Sequence, residues 1–254
     1  MSRIVVKVGS AVLTQDGAIA LERMQTLVTF LSELKKENEV ILVSSGAVSA
    51  GYTELQLDRN IIRNKQALAS IGQPILMNKY AKKFAMYNLL CSQVLVTSAN
   101  LSKKDDIERI RNTIEVLIDN SVIPIVNEND ATSTDELEVG DNDQLSAYIA
   151  KHINADLLII LSDIDAYYDA DPREDSNAQV LKIVHTISKE ELSKEATPNN
   201  VFATGGIVTK LKAASYLLEA NIDMFLASGF DLSDAKSFTL EKTHKGGTLF
   251  TKGK

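Results

Sequence analysis

Two lysines, set in glycine-containing turns near opposite ends of the chain, carry the first chemical signal. Lys7 lies in Ile4-Val5-Val6-Lys7-Val8-Gly9-Ser10, and Lys210 lies in Thr204-Gly205-Gly206-Ile207-Val208-Thr209-Lys210. Between them stand two clusters of amides and carboxylates, Asn127-Glu128-Asn129-Asp130 and Gly140-Asp141-Asn142-Asp143. Cations, open backbone N–H groups and oxygen ligands are what transfer of a phosphoryl group from ATP requires.

Each motif also has a plainer reading. Lys7 could be a snorkelling side chain on an edge strand. As a functional group it is a cation aimed past the end of a strand, with Gly9 letting backbone N–H groups approach the same anion. Ser44-Ser45-Gly46-Ala47 reads either as an N-cap or as a seat for a carboxylate or phosphate. The two Asn/Asp clusters read as Asx turns, or as groups that hold the ammonium and carboxylate of an amino acid. Asp143 has a further reading, as the carboxylate that fixes both lysines by ion pairing. Gly205-Gly206 leaves N–H groups open at the start of a helix, with Lys210 one turn in; the alternative is a loop leading to a helix with an exposed lysine. Ser162-Asp163 ends an apolar run and offers a base and ribose seat, with Tyr167 and Tyr168 as flat contacts, or else ordinary acidic turn chemistry.

Several chemistries are excluded. The spacing around Ser49 is wrong for a nucleophile elbow. There is no Gly-x-x-x-x-Gly-Lys-Ser/Thr loop and no Gly-x-Gly-x-x-Gly fingerprint. The acidic clusters lack the spacing and central glycine of a calcium loop. His152, His185 and His244 are scattered without metal-ligand spacing.

These residues need a scaffold, and the pattern supplies one. Short apolar runs at 4–8, 40–43, 94–96, 122–126 and 157–161 are apolar throughout rather than alternating, as in parallel strands buried on both faces. Helical stretches at 21–37, 61–86, 106–120 and Asn142–His152 separate them. The alternation predicts right-handed crossovers and a three-layer αβα sandwich around a mainly parallel sheet. Beyond Asp163 the pattern predicts an Asp-rich loop or hairpin tip at 167–177 and a strand at 180–186. It then predicts a helix at 188–194 capped by Ser188 and Glu191, a helix at 207–220 and a strand at 223–227. Two final strands are expected near 237–240 and 248–251. A single domain over 1–254 follows, with an acceptor-binding lobe at about 1–155 and a nucleotide-binding lobe at about 156–254.

The chain has 254 residues, 44% hydrophobic and 24% charged, with net charge −7. No dense Lys/Arg stripe marks a nucleic-acid surface. No apolar run approaches the roughly 20 residues of a membrane span, and no leader pattern precedes the first strand. Cys91 is the only cysteine, which excludes an intrachain disulfide. It reads as a buried filler, and cytoplasmic residence is the expectation.

In order and spacing, the motifs from Val5–Ser10 through Ser45-Gly46-Ala47, 125–130, 139–143 and 204–210 to Gly247-Thr248-Leu249-Phe250 resemble the amino acid kinase family. The resemblance implies the αβα fold and ATP-dependent phosphorylation of the γ-carboxylate of L-glutamate, the first step of proline biosynthesis. Other acceptors of the same family, namely acetylglutamate, aspartate, carbamate or a phosphate monoester, and a non-catalytic sensor are the alternatives. By resemblance, Lys7 and Lys210 stabilise the transferring phosphoryl group and Asp143 organises them. Ser45, Gly46, Asn127, Asp130 and Asn142 bind glutamate. Lys7, Gly9, Ser10, Ser162, Asp163, Thr204, Gly205, Gly206, Ile207, Val208, Thr209 and Lys210 contact ATP, whose phosphates carry Mg2+. The resemblance also implies a homo-oligomer, proline as feedback inhibitor and a glutamyl phosphate reductase as partner. Many bacterial members carry a C-terminal PUA domain, and this chain resembles the form without it. Ala166 stands where related sequences often have Gly.

Overall fold

Residues 1–132, 142–193 and 206–253 are described by the computed structural model. Strand β1 (Ser2–Val8) runs into the short helix α1 (Ser10–Leu13) and a small hairpin, β2 (Thr14–Gln15) with β3 (Ala18–Ile19). Helix α2 (Leu21–Leu34) carries the chain to β4 (Asn38–Ser44). Helices α3 (Ala47–Tyr52) and α4 (Ile62–Ala85) precede β5 (Cys91–Val96), and α5 (Ser98–Leu101) and α6 (Lys104–Asp119) precede β6 (Ile123–Glu128). Helix α7 (Asn142–His152) leads to β7 (Leu157–Ser162). The remainder is β8 (Ile183–Val184), α8 (Lys189–Ser193), α9 (Ile207–Glu219), β9 (Asp223–Ser228), α10 (Ser233–Thr239) and β10 (Thr248–Phe250).

Eight strands form one sheet in the order β5-β6-β4-β1-β7-β9-β10-β8. All neighbours are parallel except β9 and β10. The period-two alternation of side chains divides the apolar residues between two cores. Ile4, Val6 and Val8, with Val40, Leu42, Ile159 and Leu161, pack under α1, α2, α4 and α10. Val5, with Ile41, Val43, Leu158 and Ile160, packs under α6, α7 and α9. The sheet is therefore the middle of three layers. The fully apolar runs have this cause: both faces of the central strands are covered, so neither can be polar.

The expected elements are found with ends shifted by a few residues, and one expectation is corrected. Residues 237–240 are not a strand. Ser237 and Thr239 lie in α10, where their hydroxyls donate to the carbonyls of Asp234 (2.9 Å) and Ala235 (2.6 Å). Phe238 stacks on Phe225 of β9 at 4.1 Å, so the segment packs on the sheet as a helix. The cap at the start of α8 is as expected. Ser188 Oγ accepts from the Glu191 N–H at 3.2 Å, and the Ser188 N–H donates to Glu191 Oε2 at 2.7 Å.

Candidate active site

In-register pairing brings the C-terminal ends of the central strands level. Val8 pairs with Ser44 on one side and with Leu161 on the other, and Ser162 pairs with Ser228. Open parallel sheets bind ligands beyond this edge. Lys7 shares the parity of Val5, so it points towards the α7 and α9 layer. It lies on the central strand β1 and is 5% exposed, which rules out the edge-strand reading.

Asp143, in the first turn of α7, and Lys210, one turn into α9, meet Lys7 there. Lys7 Nζ pairs with Asp143 Oδ1, and Lys210 Nζ lies 3.0 Å from Asp143 Oδ2. Asp143 is fully buried and Lys210 is 2% exposed. Removing an ion from water costs several kcal/mol, so such groups persist only when paired. Burial alone would push the Asp143 carboxyl up. The attraction of Lys7 and then of Lys210 outweighs it and holds the carboxyl down, at about 2. The Thr209 hydroxyl lies 3.0 Å from Asp143 Oδ2, and Gln144 Nε2 donates to the Thr209 carbonyl at 3.2 Å. These bonds tie the start of α7 to that of α9. Thr209, expected to contact ATP, thus touches Asp143.

Asn142 joins this centre to a second group of polar residues. Its Nδ2 donates to Ser45 Oγ at 2.5 Å, and lies 3.3 Å from the Ser44 carbonyl and 3.4 Å from Asn127 Oδ1. Asn127, at the end of β6, also accepts from the Glu128 N–H at 2.9 Å. Gly46 adopts φ +105°, a left-handed conformation that only glycine enters freely, and so turns β4 directly into α3. Asp130 is half-buried just beyond β6.

On the other flank, Ser162 is buried and its hydroxyl donates to Asp163 Oδ1 at 2.8 Å, while Asp163 is exposed. Tyr167 is committed to structure. Its ring stacks on Phe250, its N–H donates to Thr248 Oγ1 at 2.8 Å, and its hydroxyl is bonded to Glu191. Tyr168 is half-exposed, with its hydroxyl 3.1 Å from Asp165 Oδ2. Ala166 is not among the residues with positive φ, so alanine fits the backbone there.

The Gly9 N–H donates to the Leu161 carbonyl at 3.0 Å and is spent on the sheet. A Cβ on Gly9 would make only ordinary contacts, 3.6 Å from the Leu161 carbonyl oxygen and 3.8 Å from Lys7 Nζ. Ser10 is exposed at the start of α1. Gly206, Ile207 and Val208 open α9 as expected; Gly206 is extended (φ −63°, ψ −179°). Thr204 and Gly205, with Gly140 and Asp141, lie outside the described residues. Sequence reasoning missed Gln73, which bridges Asn127 and Gln93. The available signal was Gly72 beside it, a helix-interior glycine.

The model of the amino acid kinase family matches residues 2–228. The chain belongs to the amino acid kinase family. Among curated members of known name it is 52% identical over 250 residues to the glutamate 5-kinase of Leishmania donovani, covering 98% of this chain and 95% of the relative. It is 51% identical to that of Wolinella succinogenes, covering 100% and 99%. Solved structures of the same fold include an isopentenyl phosphate kinase, with TM-score 0.70, 15% identity and 98% and 100% of the two chains covered. Another is the carbamate kinase from Giardia lamblia bound to AMP-PNP, with TM-score 0.65, 16% identity and 98% of each chain covered. At those identities the likeness establishes the fold alone. Among the described residues no helix is long and apolar enough to cross a membrane.

Proposed function

We propose that this amino acid kinase transfers the γ-phosphoryl group of ATP to the γ-carboxylate of L-glutamate, forming γ-glutamyl phosphate and ADP, the first step of proline biosynthesis. The observation that carries the proposal is the meeting of Lys7 and Lys210 on Asp143 at the C-terminal edge of the sheet. The substrate assignment is supported by high identity to glutamate 5-kinases over nearly the whole chain.

The γ-carboxylate has an ordinary pKa of about 4.3 and is anionic at neutral pH, so no general base is needed. A carboxylate oxygen attacks the γ-phosphorus, a new P–O bond forms, and the bond to the β-phosphate oxygen breaks as ADP leaves. The barrier lies in aligning two anions and in spreading charge over the phosphoryl oxygens. Lys7 and Lys210 supply the positive charge, and Asp143 holds both ammonium groups in place before substrate arrives.

Ser45, Gly46, Asn127, Asp130 and Asn142 form the acceptor side, contributed by the lobe at about 1–155. Gly9, Ser10, Ser162, Asp163 and the segment 204–210 form the nucleotide side, mostly from about 156–254. The described residues hold no group of three or more metal-ligating side chains, and both Asp143 oxygens face ammonium groups. They do not build a metal seat. Mg2+ enters this reading only as the counter-ion carried by the ATP phosphates. The reading also includes a cytoplasmic homo-oligomer, proline as feedback inhibitor, and a glutamyl phosphate reductase that consumes the labile acyl phosphate.

Hydroxylamine trapping tests the proposal. With ATP, glutamate is expected to yield γ-glutamyl hydroxamate, while acetylglutamate, aspartate and carbamate give at most a few per cent of that rate. Turnover of another acceptor in preference to glutamate, or of none, would overturn it.

A further inference from the structure

A line of amides, buried at Gln73 and Asn127, runs from exposed Gln93 at the sheet edge to the acceptor side, and backbone groups fix the polarity of Asn127 and Asn142. Glu128 N–H can only donate, so the Asn127 atom that receives it at 2.9 Å is Oδ1. Asn127 Nδ2 then donates to Gln73 Oε1 at 3.0 Å, and Gln73 Nε2 donates to Gln93 Oε1 at 3.1 Å. At the other end the Ser44 carbonyl can only accept, so the Asn142 atom facing it is Nδ2, the same atom that donates to Ser45 Oγ. A hydroxyl that accepts from Asn142 keeps its own proton for another partner. Ser45 is half-buried, at the turn into α3. The amides thus set it as a donor, the polarity a carboxylate oxygen needs.

Gln73 is 7% exposed and no backbone bond fixes its side chain; it is held by its place on α4. That place is tightly determined. A Cβ on the preceding Gly72 would stand 1.8 Å from the Ala47 carbonyl oxygen, and one on Gly51 would stand 1.9 Å from the Leu68 carbonyl oxygen. Helices α3 and α4 therefore touch backbone to backbone, and the helix that begins at the Ser45-Gly46 turn fixes Gln73 next to Asn127.

We infer that Gln73 is a positioning residue for the acceptor. By accepting from Asn127 Nδ2 it holds the Asn127 side chain in place, so that Asn127 Oδ1 supports the Asn142 Nδ2 that donates to Ser45, and the Ser45 hydroxyl is offered to the acceptor's α-carboxylate. The inference rests on the glutamate reading above and deepens it. Gln73 touches no reacting atom, so its removal raises the KM for glutamate and leaves the chemical step largely alone.

The test uses Gln73→Met, Gln73→Asn and Gln73→Glu in the full-length protein, with glutamate and with 4-aminobutyrate, which keeps the γ-carboxylate but lacks the α-carboxylate. Gln73→Met and Gln73→Asn are expected to raise the KM for glutamate by about 10-fold or more, a loss of about 1.4 kcal/mol. The KM for ATP and kcat are expected to stay within about 3-fold, and the preference for glutamate over 4-aminobutyrate to shrink by about the same factor of 10. Gln73→Glu, which still accepts from Asn127, is expected to lie nearer to wild type. Gln73→Asn carries the test if the Met variant does not fold. An unchanged preference, or an equal loss with both acceptors and ATP, overturns the inference and leaves glutamate kinase activity standing. Wild-type protein that forms no hydroxamate from glutamate overturns both.

Discussion

A carboxylate between two ammonium groups, all nearly out of water, defines the residue scale of this site. Burial opposes the charge on Asp143, and the two lysines more than offset that cost, leaving its carboxyl at about 2. An unfolded aspartate titrates at about 3.9. Because the folded value is the lower one, the stabilisation is complete above about pH 4 and disappears as the pH falls towards 2. Urea midpoints measured from pH 6 to pH 2 are therefore expected to fall less steeply for Asp143→Asn than for wild type. The variant is also expected to be less stable at pH 6, by about 3 kcal/mol, because two buried cations lose their shared counter-charge. Parallel curves would contradict this. At this scale much was legible, since Lys7 interrupts an apolar strand, Asp143 sits in a dense polar cluster and Lys210 follows Gly205-Gly206 by one turn. The role of Thr209 was not, because its contact with Asp143 depends on how two helices 66 residues apart in sequence are set side by side.

Elements place those residues through a few close approaches. The strand-to-helix turn at Gly46 and the backbone contact between α3 and α4 position Ser45 and Gln73. A methyl group on Gly72 would meet backbone rather than a flexible side chain, so the helices would have to move apart. Gly72→Ala is expected to lower stability by about 1–3 kcal/mol and to raise the KM for glutamate more than that for ATP, read from urea melts and steady-state kinetics. A wild-type midpoint with unchanged KM values would show that the contact does not set the site. Sequence pattern predicted α4 well, yet gave no hint that Gly51 and Gly72 face each other, because that pairing is tertiary. The Asp16-Gly17 turn of the β2–β3 hairpin is local in origin; its φ values of +52° and +80° are those of a two-residue turn that asparagine, aspartate and glycine favour. The expected strand at 237–240 failed for the opposite reason. Phe238 and Leu240 say that the segment packs on an apolar surface, and α10 satisfies that demand by stacking Phe238 on the sheet.

Across the whole molecule, one sheet joins the two halves of the chain, with β1 pairing with β4 on one side and β7 on the other. The doubly buried strands made this architecture readable, since near-continuous Val/Ile/Leu runs alternating with helices leave few other folds. What no local pattern encodes is the convergence of side chains 203 positions apart in sequence, which needs the full crossover topology. The central claim is that this convergence stabilises the transferring phosphoryl group. It is tested most directly by kcat for γ-glutamyl hydroxamate formation in purified Lys210→Ala, with folding verified by circular dichroism. The account predicts a fall of at least about 10²-fold, the scale of losing one preorganised donor; a folded variant turning over at close to the wild-type rate would contradict it.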